Sequence, residues 1–347
     1  MSIVQRVVGA CKSLNEKIRT VKESINSHYN DHVNPLIGIR DFIRIIYCRI
    51  VYKFESREYY YFHLYEKSKK EILEFCPKKY QAELYFKVNP LEARALATDK
   101  YASYLRFKDY YKRDACAYNP SAGLVDIQHD FNRFIEINST FIIKPLSANS
   151  GIGIKIVETN KETDPKQLLN KFISEYPDGF IAEELIMQVL EMAQFHPKSV
   201  NTIRVNTFRF GDDVEVKFPC MRLGRGSAVV DNANAGGIFG GIDVATGKLI
   251  AVADEFGRKY SEHPDTKVKF DGFAIPRWQE VCELAKGIAD DFSECKVIGF
   301  DFALTDKGWV LVEINAYPLL IFQIATQIGI RKEFEEIVNK MNKSHEG

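Results

Sequence analysis

Residues 297–318, which read VIGFDFALTDKGWVLVEINAYP, limit the fold of this chain more than any other segment does. Two stretches rich in apolar and β-branched residues, 297–304 and 309–315, are separated by TDKG, in which glycine supplies the left-handed residue that a tight turn needs. Strand-forming stretches around such a turn predict a β-hairpin. At least part of the chain therefore folds as an antiparallel sheet.

The predicted hairpin brings acidic side chains together. A three-residue loop ending at Gly308 would place Asp301 directly across from Glu313, and cross-strand partners have Cβ atoms about 5 Å apart. Asn315 would share a face with Glu313, because side chains two residues apart on a strand point the same way. Two carboxylates and an amide oxygen this close suit Mg²⁺, which prefers oxygen ligands and takes the remaining ones from water or phosphate. The hairpin therefore predicts a metal site.

A solvated hairpin whose acids face water is the alternative interpretation. Strand alternation puts Trp309 and Leu311 on the same face as Glu313. Large apolar side chains indicate that this face is covered, so we expect the acids to be enclosed with a cation and not exposed.

The composition is that of a globular protein with more than one packed unit. The chain has 347 residues, of which 46% are hydrophobic and 27% are charged, and a chain of this length forms two or three cores. Its 47 basic and 47 acidic residues give no net charge. Without an overall positive field the protein is not expected to bind nucleic acid, and any phosphate site must be local.

Cysteine usage and the start of the chain indicate a cytoplasmic protein. None of the seven cysteines forms a C-x-x-C pair or a zinc-like cluster with histidine, so we expect reduced thiols. The apolar stretch at the start is short and is interrupted by Arg6, unlike a signal peptide. No window approaches the roughly 20 apolar residues of a membrane span, so no transmembrane segment is expected.

The first 96 residues predict a helical region. Apolar residues recur every three or four positions from Val7 to Ile25, which predicts an amphipathic helix that packs on its own domain or forms a homodimer through a coiled coil. Residues 37–53 are apolar and basic together, and this composition fits a membrane-surface helix or a buried one. Because the apolar residues surround the helix, we expect it to be mostly buried, with basic residues at its ends.

A loop of small residues lies between two predicted strands in the middle of the chain. Strand 140–145 ends with Lys144 and Pro145, and LSANSGIG, residues 146–153, leads into a second strand. Backbone N–H groups of such a loop can bind phosphate oxygens. The P-loop and dinucleotide patterns are both absent, and a strand instead of a helix follows. Many loops of this composition are plain turns, and Lys144 is what favours phosphate binding here.

Two further strands carry charges that an ordinary core strand would lack. Glu183 and Glu184 interrupt the apolar strand 180–186, whose end suits an adenine ring unless this is an edge strand with both acids in water. Arg204 follows Thr202 in the next strand. An inward arginine near a nucleotide is suited to phosphate, whereas an exposed one would pair with a surface acid.

The order of these segments resembles an ATP-grasp enzyme. Within that superfamily, SVNTIR, NAGGIFGGID, HPDT and VIGFDFAL…GWVLVEIN are most similar to the group called sugar-transfer-associated ATP-grasp. The resemblance covers roughly residues 97–330 and implies an α+β fold in which two lobes hold ATP between antiparallel sheets. We predict a helical region, 1–96, followed by an ATP-grasp domain, 97–347, with its hinge near 183–188.

By position, the resemblance implies a role for each site residue. Lys144 and Arg204 match catalytic residues on the phosphate side, and Asp301, Glu313 and Asn315 match the Mg²⁺ ligands. The implied nucleotide-binding positions are Lys100, Lys144, Ser147, Asn149, Ser150, Gly151, Gly153, Glu183, Glu184, Leu185, Ile186, Arg204 and Asn315.

One departure from the family concerns the ribose. Many relatives carry an acid a few residues after the hinge, and here Gln188 or Glu191 would have to take its place. The resemblance does not identify the substrate contacts. Residues 232–237, residues 263–266 and the N-terminal helices are candidates by position.

The resemblance implies an ATP-dependent carboxylate–amine ligase. A substrate carboxylate would attack the γ-phosphate of ATP to give an acyl phosphate, from which an amine would displace phosphate to form an amide. Phosphoryl transfer needs charge neutralisation and positioning, which lysine, arginine and Mg²⁺ supply. The group's name suggests a sugar acid and an amino compound in surface-polysaccharide synthesis. The alternatives are a kinase that phosphorylates a hydroxyl and a catalytically silent ATP-binding module.

Overall fold

The computed structural model describes residues 3–122, 127–146, 153–226 and 236–343, and, in the first of these ranges, the side chains of 15–121. The helices are α1 (Ile3–Tyr29), α2 (Pro35–Tyr47), α3 (Glu58–Tyr61), α4 (Lys69–Ile72), α5 (Lys78–Val88), α6 (Leu91–Thr98), α7 (Lys100–Arg106), α8 (Lys108–Tyr111), α9 (Ile127–Ile137), α10 (Pro165–Glu175), α11 (Leu190–Ala193), α12 (Trp278–Asp291), α13 (Phe322–Thr326) and α14 (Arg331–Lys343). A π-helical turn, Cys48–Tyr52, follows α2, and 3-10 turns lie at Leu64–Glu66 and Pro120–Ala122. The strands are β1 (Ala115–Tyr118), β2 (Thr140–Pro145), β3 (Lys155–Glu158), β4 (Phe180–Glu184), β5 (Thr202–Phe210), β6 (Asp213–Leu223), β7 (Ile238–Ile242), β8 (Leu249–Ala253), β9 (Lys259–Tyr260), β10 (Val297–Thr305) and β11 (Gly308–Asn315).

Two antiparallel sheets form the framework. The smaller has the strand order β1-β4-β2-β3, and the larger has the order β11-β10-β5-β6-β7-β8-β9. Helices α9 and α10 pack on the smaller sheet, where Phe131 and Phe172 lie in one core cluster with Phe141. Helix α12 packs on the larger sheet and contributes Val281 and Ile288 to the main core. Each antiparallel sheet therefore packs against helices, which confirms the predicted α+β class.

The predicted hairpin is formed by β10 and β11, but its loop differs from the prediction. Thr305 pairs with Gly308, which leaves a two-residue loop, and this register alone would set Asp301 opposite Val312. A β-bulge at Val312 adds one residue to β11, so that Asp301 pairs with Glu313 as predicted. Such a bulge leaves one residue unpaired and interrupts the regular alternation of side chains.

The bulge changes which residues share a face. Trp309, Leu311 and Ile314 all belong to the main core, although uninterrupted alternation would put positions 311 and 314 on opposite faces. Glu313 shares the other face with its partner Asp301. The predicted grouping of Glu313 with Trp309 and Leu311 was therefore wrong, because the apolar pair faces the core and the acids face away from it.

The N-terminal helices pack against the larger sheet and α13. Val21 and Ile25 of α1 are buried in one cluster with Ile45, Phe239 and Ile324. At Val21 and Ile25 this confirms that α1 packs on its own chain. The predicted division between residues 96 and 97 falls within α6 and stays a prediction.

Residues 37–53 do not form the mostly buried helix that we predicted. Ile39, Ile43 and Ile50 are each at least 60% exposed, whereas Ile45 is fully buried. Only one side of this helix packs on the protein, so the apolar residues on the other side face outward.

The described ranges contain no helix with the length and apolarity that a membrane crossing requires. The cysteines whose side chains are described are buried, unpaired thiols. Burial raises the pKa of Cys48 to about 11 and that of Cys116 to about 12, so these thiols stay protonated and structural.

Two glycines provide a matched test of how the C-terminal segment is held. A Cβ at Gly329 would meet the backbone carbonyl of Glu74, whereas a Cβ at Gly287 in α12 would meet no atom within 4 Å outside its own helix. We expect Gly329→Ala to lower the free energy of unfolding by about 1–3 kcal/mol through overpacking. Gly287→Ala should raise it by up to about 1 kcal/mol. Chemical denaturation compares the two, and equal effects would contradict this packing.

Candidate active site

Strand alternation gives the larger sheet one apolar face and one charged face. Asp301 in β10 pairs with Arg204 on one side and with Glu313 on the other. Arg222 reaches the same place from β6, where it contacts Asp301. Ile203, next to Arg204, points the opposite way into the main core. The charged face therefore collects side chains from four neighbouring strands.

Asp301 is held by two guanidinium groups. Arg204 donates to both carboxylate oxygens, with Nη2 2.7 Å from Oδ2, and Arg222 Nη1 donates to Oδ2 at 2.6 Å. Burial raises the pKa of the Asp301 carboxyl, but the two arginines outweigh burial and lower it. A carboxylate oxygen has two acceptor positions, so Oδ2 is fully used and Oδ1 keeps one.

Glu313 pairs with Asp301 across the two strands, but the pKa of its carboxyl is shifted in the opposite direction. Burial and the neighbouring Asp301 charge raise the pKa of the Glu313 carboxyl, although Arg204, Arg222 and Lys144 oppose the shift. Within the described ranges its side chain makes no hydrogen bond or ion pair. Glu313 is half-buried, and a partly desolvated carboxylate in this state is destabilised unless a proton or a cation reaches it.

The three predicted metal ligands fit a hard divalent cation. Asp301 offers the remaining position on Oδ1, Glu313 offers both carboxylate oxygens, and Asn315 offers its amide oxygen, while its buried Nδ2 has no hydrogen-bond partner among the described residues. Two carboxylates and an amide suit Mg²⁺. Among the described residues no group of three or more acidic, histidine or cysteine side chains is placed to hold a metal. Mg²⁺ would therefore need further ligands from a bound phosphate.

On the smaller sheet, Glu183 is held by two basic side chains, as Asp301 is on the larger sheet. Its Oε2 accepts hydrogen bonds from Lys144 Nζ at 2.7 Å and from Arg113 Nη2 at 3.0 Å. Burial raises the pKa of Glu183, but Arg113 and Lys144 outweigh burial and lower it to about 2. The alternative that Glu183 faces water is therefore wrong, and we call these three side chains the Glu183 cluster.

Arg113 connects the two sheets. While it donates to Glu183, its Nη1 donates to Leu311 O and its Nη2 to Val312 O at 3.2 Å. These carbonyls belong to the bulge in β11. Arg113, which lies just before β1 of the smaller sheet, binds them. The guanidinium also lies 4.7 Å from the centre of the Tyr111 ring, a cation–π geometry. The bulge therefore fixes the position of the Glu183 cluster relative to the hairpin.

Neither Arg113 nor Arg222 was predicted as a site residue. Arg222 lies in KFPCMRL, a largely apolar strand, and an arginine inside such a strand is the same signal that pointed to Arg204. Arg113 has no comparable signal, because it follows Lys108 and Lys112 in a segment rich in basic and aromatic residues.

Lys100 and Gly153 border the predicted phosphate loop. Asp99 caps α7 and so places Lys100 at its first position, from which Nζ donates to Leu146 O at 3.2 Å. Burial lowers the pKa of Lys100, although the Glu313 charge opposes this. Gly153 has a φ of 77°, which favours glycine. The remaining predicted loop contacts lie outside the described residues: Ser147, Asn149, Ser150 and Gly151.

The predicted adenine segment follows directly from the Glu183 cluster. Glu184 ends β4, and its carboxylate accepts a hydrogen bond from Asp114 N at 3.1 Å. Leu185 and Ile186 lie just beyond the strand and are half-buried. A strand end with apolar side chains and a main-chain edge is what the adenine prediction requires, and the role of these residues stays a prediction.

Of the two ribose candidates, Gln188 already forms hydrogen bonds with other residues of the protein. Its side-chain amide donates to Ser199 O at 2.7 Å and accepts from Asn201 N at 2.9 Å. Glu191 is exposed and remains available. The structure therefore favours Glu191 over Gln188.

The HPDT segment, which was a candidate for substrate contact, holds a neighbouring loop. His263 is fully buried, and its Nε2 is 2.9 Å from Gly224 O. Asp265 accepts a hydrogen bond from Gly226 N at 2.6 Å. These contacts hold the backbone that immediately precedes residues 227–235. That range lies outside the described residues, and it includes 232–235 of the predicted substrate contacts.

Comparisons with known proteins agree with this arrangement of sheets. A family model described as "Sugar-transfer associated ATP-grasp" matches residues 79–339, which is more than half of the chain. The chain belongs to this ATP-grasp family. Its fold is thus an ATP-grasp fold preceded by a helical region. The family match begins within α5, whereas we expected the resemblance to begin near residue 97.

Solved structures similar to this ATP-grasp chain include three enzymes. D-alanine–D-alanine ligase from Bacillus anthracis is 14% identical, with a TM-score of 0.45 over 77% of each chain. VanG D-Ala:D-Ser ligase from Enterococcus faecalis is 15% identical, with a TM-score of 0.46 over 74% of this chain and 64% of that chain. A biotin carboxylase complex from Campylobacter jejuni is 14% identical, with a TM-score of 0.43 over 76% of this chain and 52% of that chain. A search of curated proteins found no match.

Glu183 and Glu175 form a matched pair for testing the Glu183 cluster. Each accepts a hydrogen bond from a lysine, Lys144 at 2.7 Å and Lys155 at 2.8 Å, but Glu183 is buried and Glu175 is exposed. We expect Glu183→Gln to lower the free energy of unfolding at pH 7 by about 3–5 kcal/mol, because two buried cations lose their counter-charge. Glu175→Gln should leave it unchanged. Denaturant titrations test this, and similar effects at both positions would refute the assignment.

The contribution of Glu183 should be lost in acid. Its folded-state pKa of about 2 lies below the ordinary glutamate value of 4.5, so the stabilisation is full above pH 4.5 and falls as the pH drops towards 2. The difference in unfolding free energy between the wild type and Glu183→Gln should shrink over that range. A difference that stays constant from neutral pH to pH 3 would contradict the pairing.

Proposed function

We propose that this protein is an ATP-dependent carboxylate–amine ligase that forms an acyl phosphate. The observation that carries the proposal is the convergence of charged residues from both sheets: Lys144 contacts Glu183 on the smaller sheet, and Arg113 joins Glu183 to the Val312 carbonyl next to Glu313 on the larger one. Membership of the ATP-grasp family supports ATP as the phosphoryl donor. Phosphoryl transfer depends on neutralising and positioning phosphate oxygens, and this is what such a convergence can provide.

In this proposal the smaller sheet binds the nucleotide. Adenine lies against residues 184–186 at the end of β4, and Glu191 binds the ribose. Lys144 and Lys100 contact the phosphates, with the backbone of the loop that ends at Gly153. Glu183 supports this arrangement because it holds the Lys144 ammonium at 2.7 Å and limits its rotamers.

The larger sheet binds the reacting end of the triphosphate. Mg²⁺ held by Asp301, Glu313 and Asn315 would neutralise phosphate charge and align the phosphate for attack. Arg204 and Arg222 are the fixed cations beside the transferred group, because Asp301 anchors both guanidinium groups in one place. Two arginines anchored in one geometry stabilise developing negative charge without having to reorganise.

We further propose that the carboxylate belongs to a sugar acid, that the amine belongs to an amino compound, and that the product enters surface-polysaccharide synthesis in the cytoplasm. The support for the sugar substrate is the description of the family as associated with sugar transfer. The predicted division into a helical region, 1–96, and an ATP-grasp domain, 97–347, belongs to this proposal.

The experiment is a phosphate-release screen with ATP and Mg²⁺ across uronic acids and amino compounds, with hydroxylamine as a trap. A ligase yields phosphate and amide with both substrates, and it yields a hydroxamate when hydroxylamine replaces the amine. A stable phosphorylated product without any amine would show a kinase. The absence of phosphate release with any pair, together with ATP binding, would favour a silent module.

Three variants connect that activity to the proposed site. We expect Glu313→Gln and Asp301→Asn to lower kcat at least about 100-fold, the usual loss when charge stabilisation of a transition state is removed. Asp306→Asn, in the exposed loop of the same hairpin, should keep full activity. Glu313→Gln should also keep the wild-type melting temperature or raise it, because it removes a half-buried carboxyl that forms no ion pair with the described residues. Full activity in Glu313→Gln would overturn the assignment.

A further inference from the structure

Helix α2 and the π-helical turn that follows it present apolar side chains to the outside. The exposed positions recur every three or four residues, which places them on one side of the helix. Their exposed fractions are high for large apolar residues: Leu36 78%, Ile39 60%, Ile43 62%, Tyr47 47%, Ile50 66% and Val51 49%. We call these six residues the apolar stripe.

The opposite side of the same helix is already packed. Ile45 and Cys48 are buried with Val21 in the N-terminal core. Asp41 is 1% exposed and accepts a hydrogen bond from the Tyr60 hydroxyl at 3.0 Å. The apolar stripe is therefore a second apolar surface, separate from the core. A contiguous exposed surface of this kind marks an interaction site.

The exposed charges beside the stripe are positive. Residues 35–53 contain four basic residues and one acid, and that acid is the buried Asp41. Arg44 and Lys53 are exposed, and Arg40, which is also exposed, forms an ion pair with the Asp41 carboxylate at 2.8 Å. The chain as a whole has no net charge, so this positive region is local to the helix that carries the stripe.

We propose that the apolar stripe docks the protein on the surface of an anionic phospholipid bilayer. A helix with an apolar side and flanking basic residues lies in the plane of a membrane interface, where its apolar side reaches the acyl boundary and its basic residues meet lipid phosphates. The 16 residues from Leu36 to Val51 extend about 24 Å, so the stripe runs along the membrane surface. This docking is independent of the proposed ATP site.

A second copy of the chain is a poorer occupant of the stripe. In a symmetric dimer the same patch packs against itself, so Arg40, Arg44 and Lys53 of one copy would approach the same residues of the other. Like charges brought together in this way disfavour association. An anionic bilayer offers the opposite charge as well as an apolar layer, which is why we assign the stripe to a membrane.

Co-sedimentation of the full chain with vesicles tests the proposal. We expect binding to phosphatidylcholine vesicles that contain phosphatidylglycerol, and weak binding to phosphatidylcholine alone. Ile39→Gln with Ile43→Gln should lower the partition coefficient at least about tenfold, because apolar area is lost from the contact. Arg44→Gln with Lys53→Gln should lower it about fivefold for each charge, and added salt should act in the same direction.

The control is Ile137→Gln in α9, which removes an isoleucine of similar exposure, 68%, outside the stripe, and which should bind as the wild type does. Melting temperatures show whether each variant is folded, and sedimentation velocity without lipid reports the oligomeric state. Equal binding by the wild type and the stripe variants would overturn the proposal. So would a dimer that the Ile39→Gln, Ile43→Gln variant dissociates, because the occupant would then be a second copy.

Discussion

Charge balance among three carboxylates, of which two are buried and one is half-buried, is the constraint on which this site depends. Asp301 is matched by two arginines, and Glu183 is matched by Arg113 and Lys144. Glu313 has no such partner among the described residues, and burial together with the Asp301 charge raises its pKa. The matched pairs hold the strands together, whereas an unmatched acid keeps an unfavourable charge that a bound cation would relieve. An acid in this state beside fixed cations is typical of a functional site.

The bulge at Val312 makes this charge arrangement possible. The two-residue loop of the hairpin shifts the register by one residue, and the bulge shifts it back, so that Asp301 and Glu313 remain opposite each other. Without the extra residue, alternation would point Glu313 into the core beside Leu311, where a carboxylate is costly. The bulge also supplies the carbonyl oxygens that Arg113 binds. One backbone irregularity therefore directs the acid, anchors the arginine and connects the two sheets.

Local patterns predicted the hairpin, because strand alternation and turn chemistry depend on neighbouring residues. The Asp301–Glu313 pairing was predicted from a three-residue loop, whereas the structure forms it through a two-residue loop and a bulge. The bulge was not predictable in this way, since a one-residue register shift is decided by what the rest of the fold buries. Arg222 carries the same local signal as Arg204, an arginine within a largely apolar strand, and was overlooked, whereas Arg113 has no comparable signal in its own segment. The buried-helix prediction for residues 37–53 failed because apolar residues on all sides of a helix were taken to mean burial, whereas only the side with Ile45 is covered and Ile39, Ile43 and Ile50 are exposed.

In the proposed site, Glu313 binds a cation only when a nucleotide is bound as well. Electron paramagnetic resonance of Mn²⁺, used in place of Mg²⁺, measures this directly when the metal is titrated with and without a non-hydrolysable ATP analogue. We predict tight Mn²⁺ binding only with the nucleotide, its loss in Glu313→Gln, and its retention in Asp306→Asn. Tight binding without nucleotide, or unchanged binding in Glu313→Gln, would contradict the account.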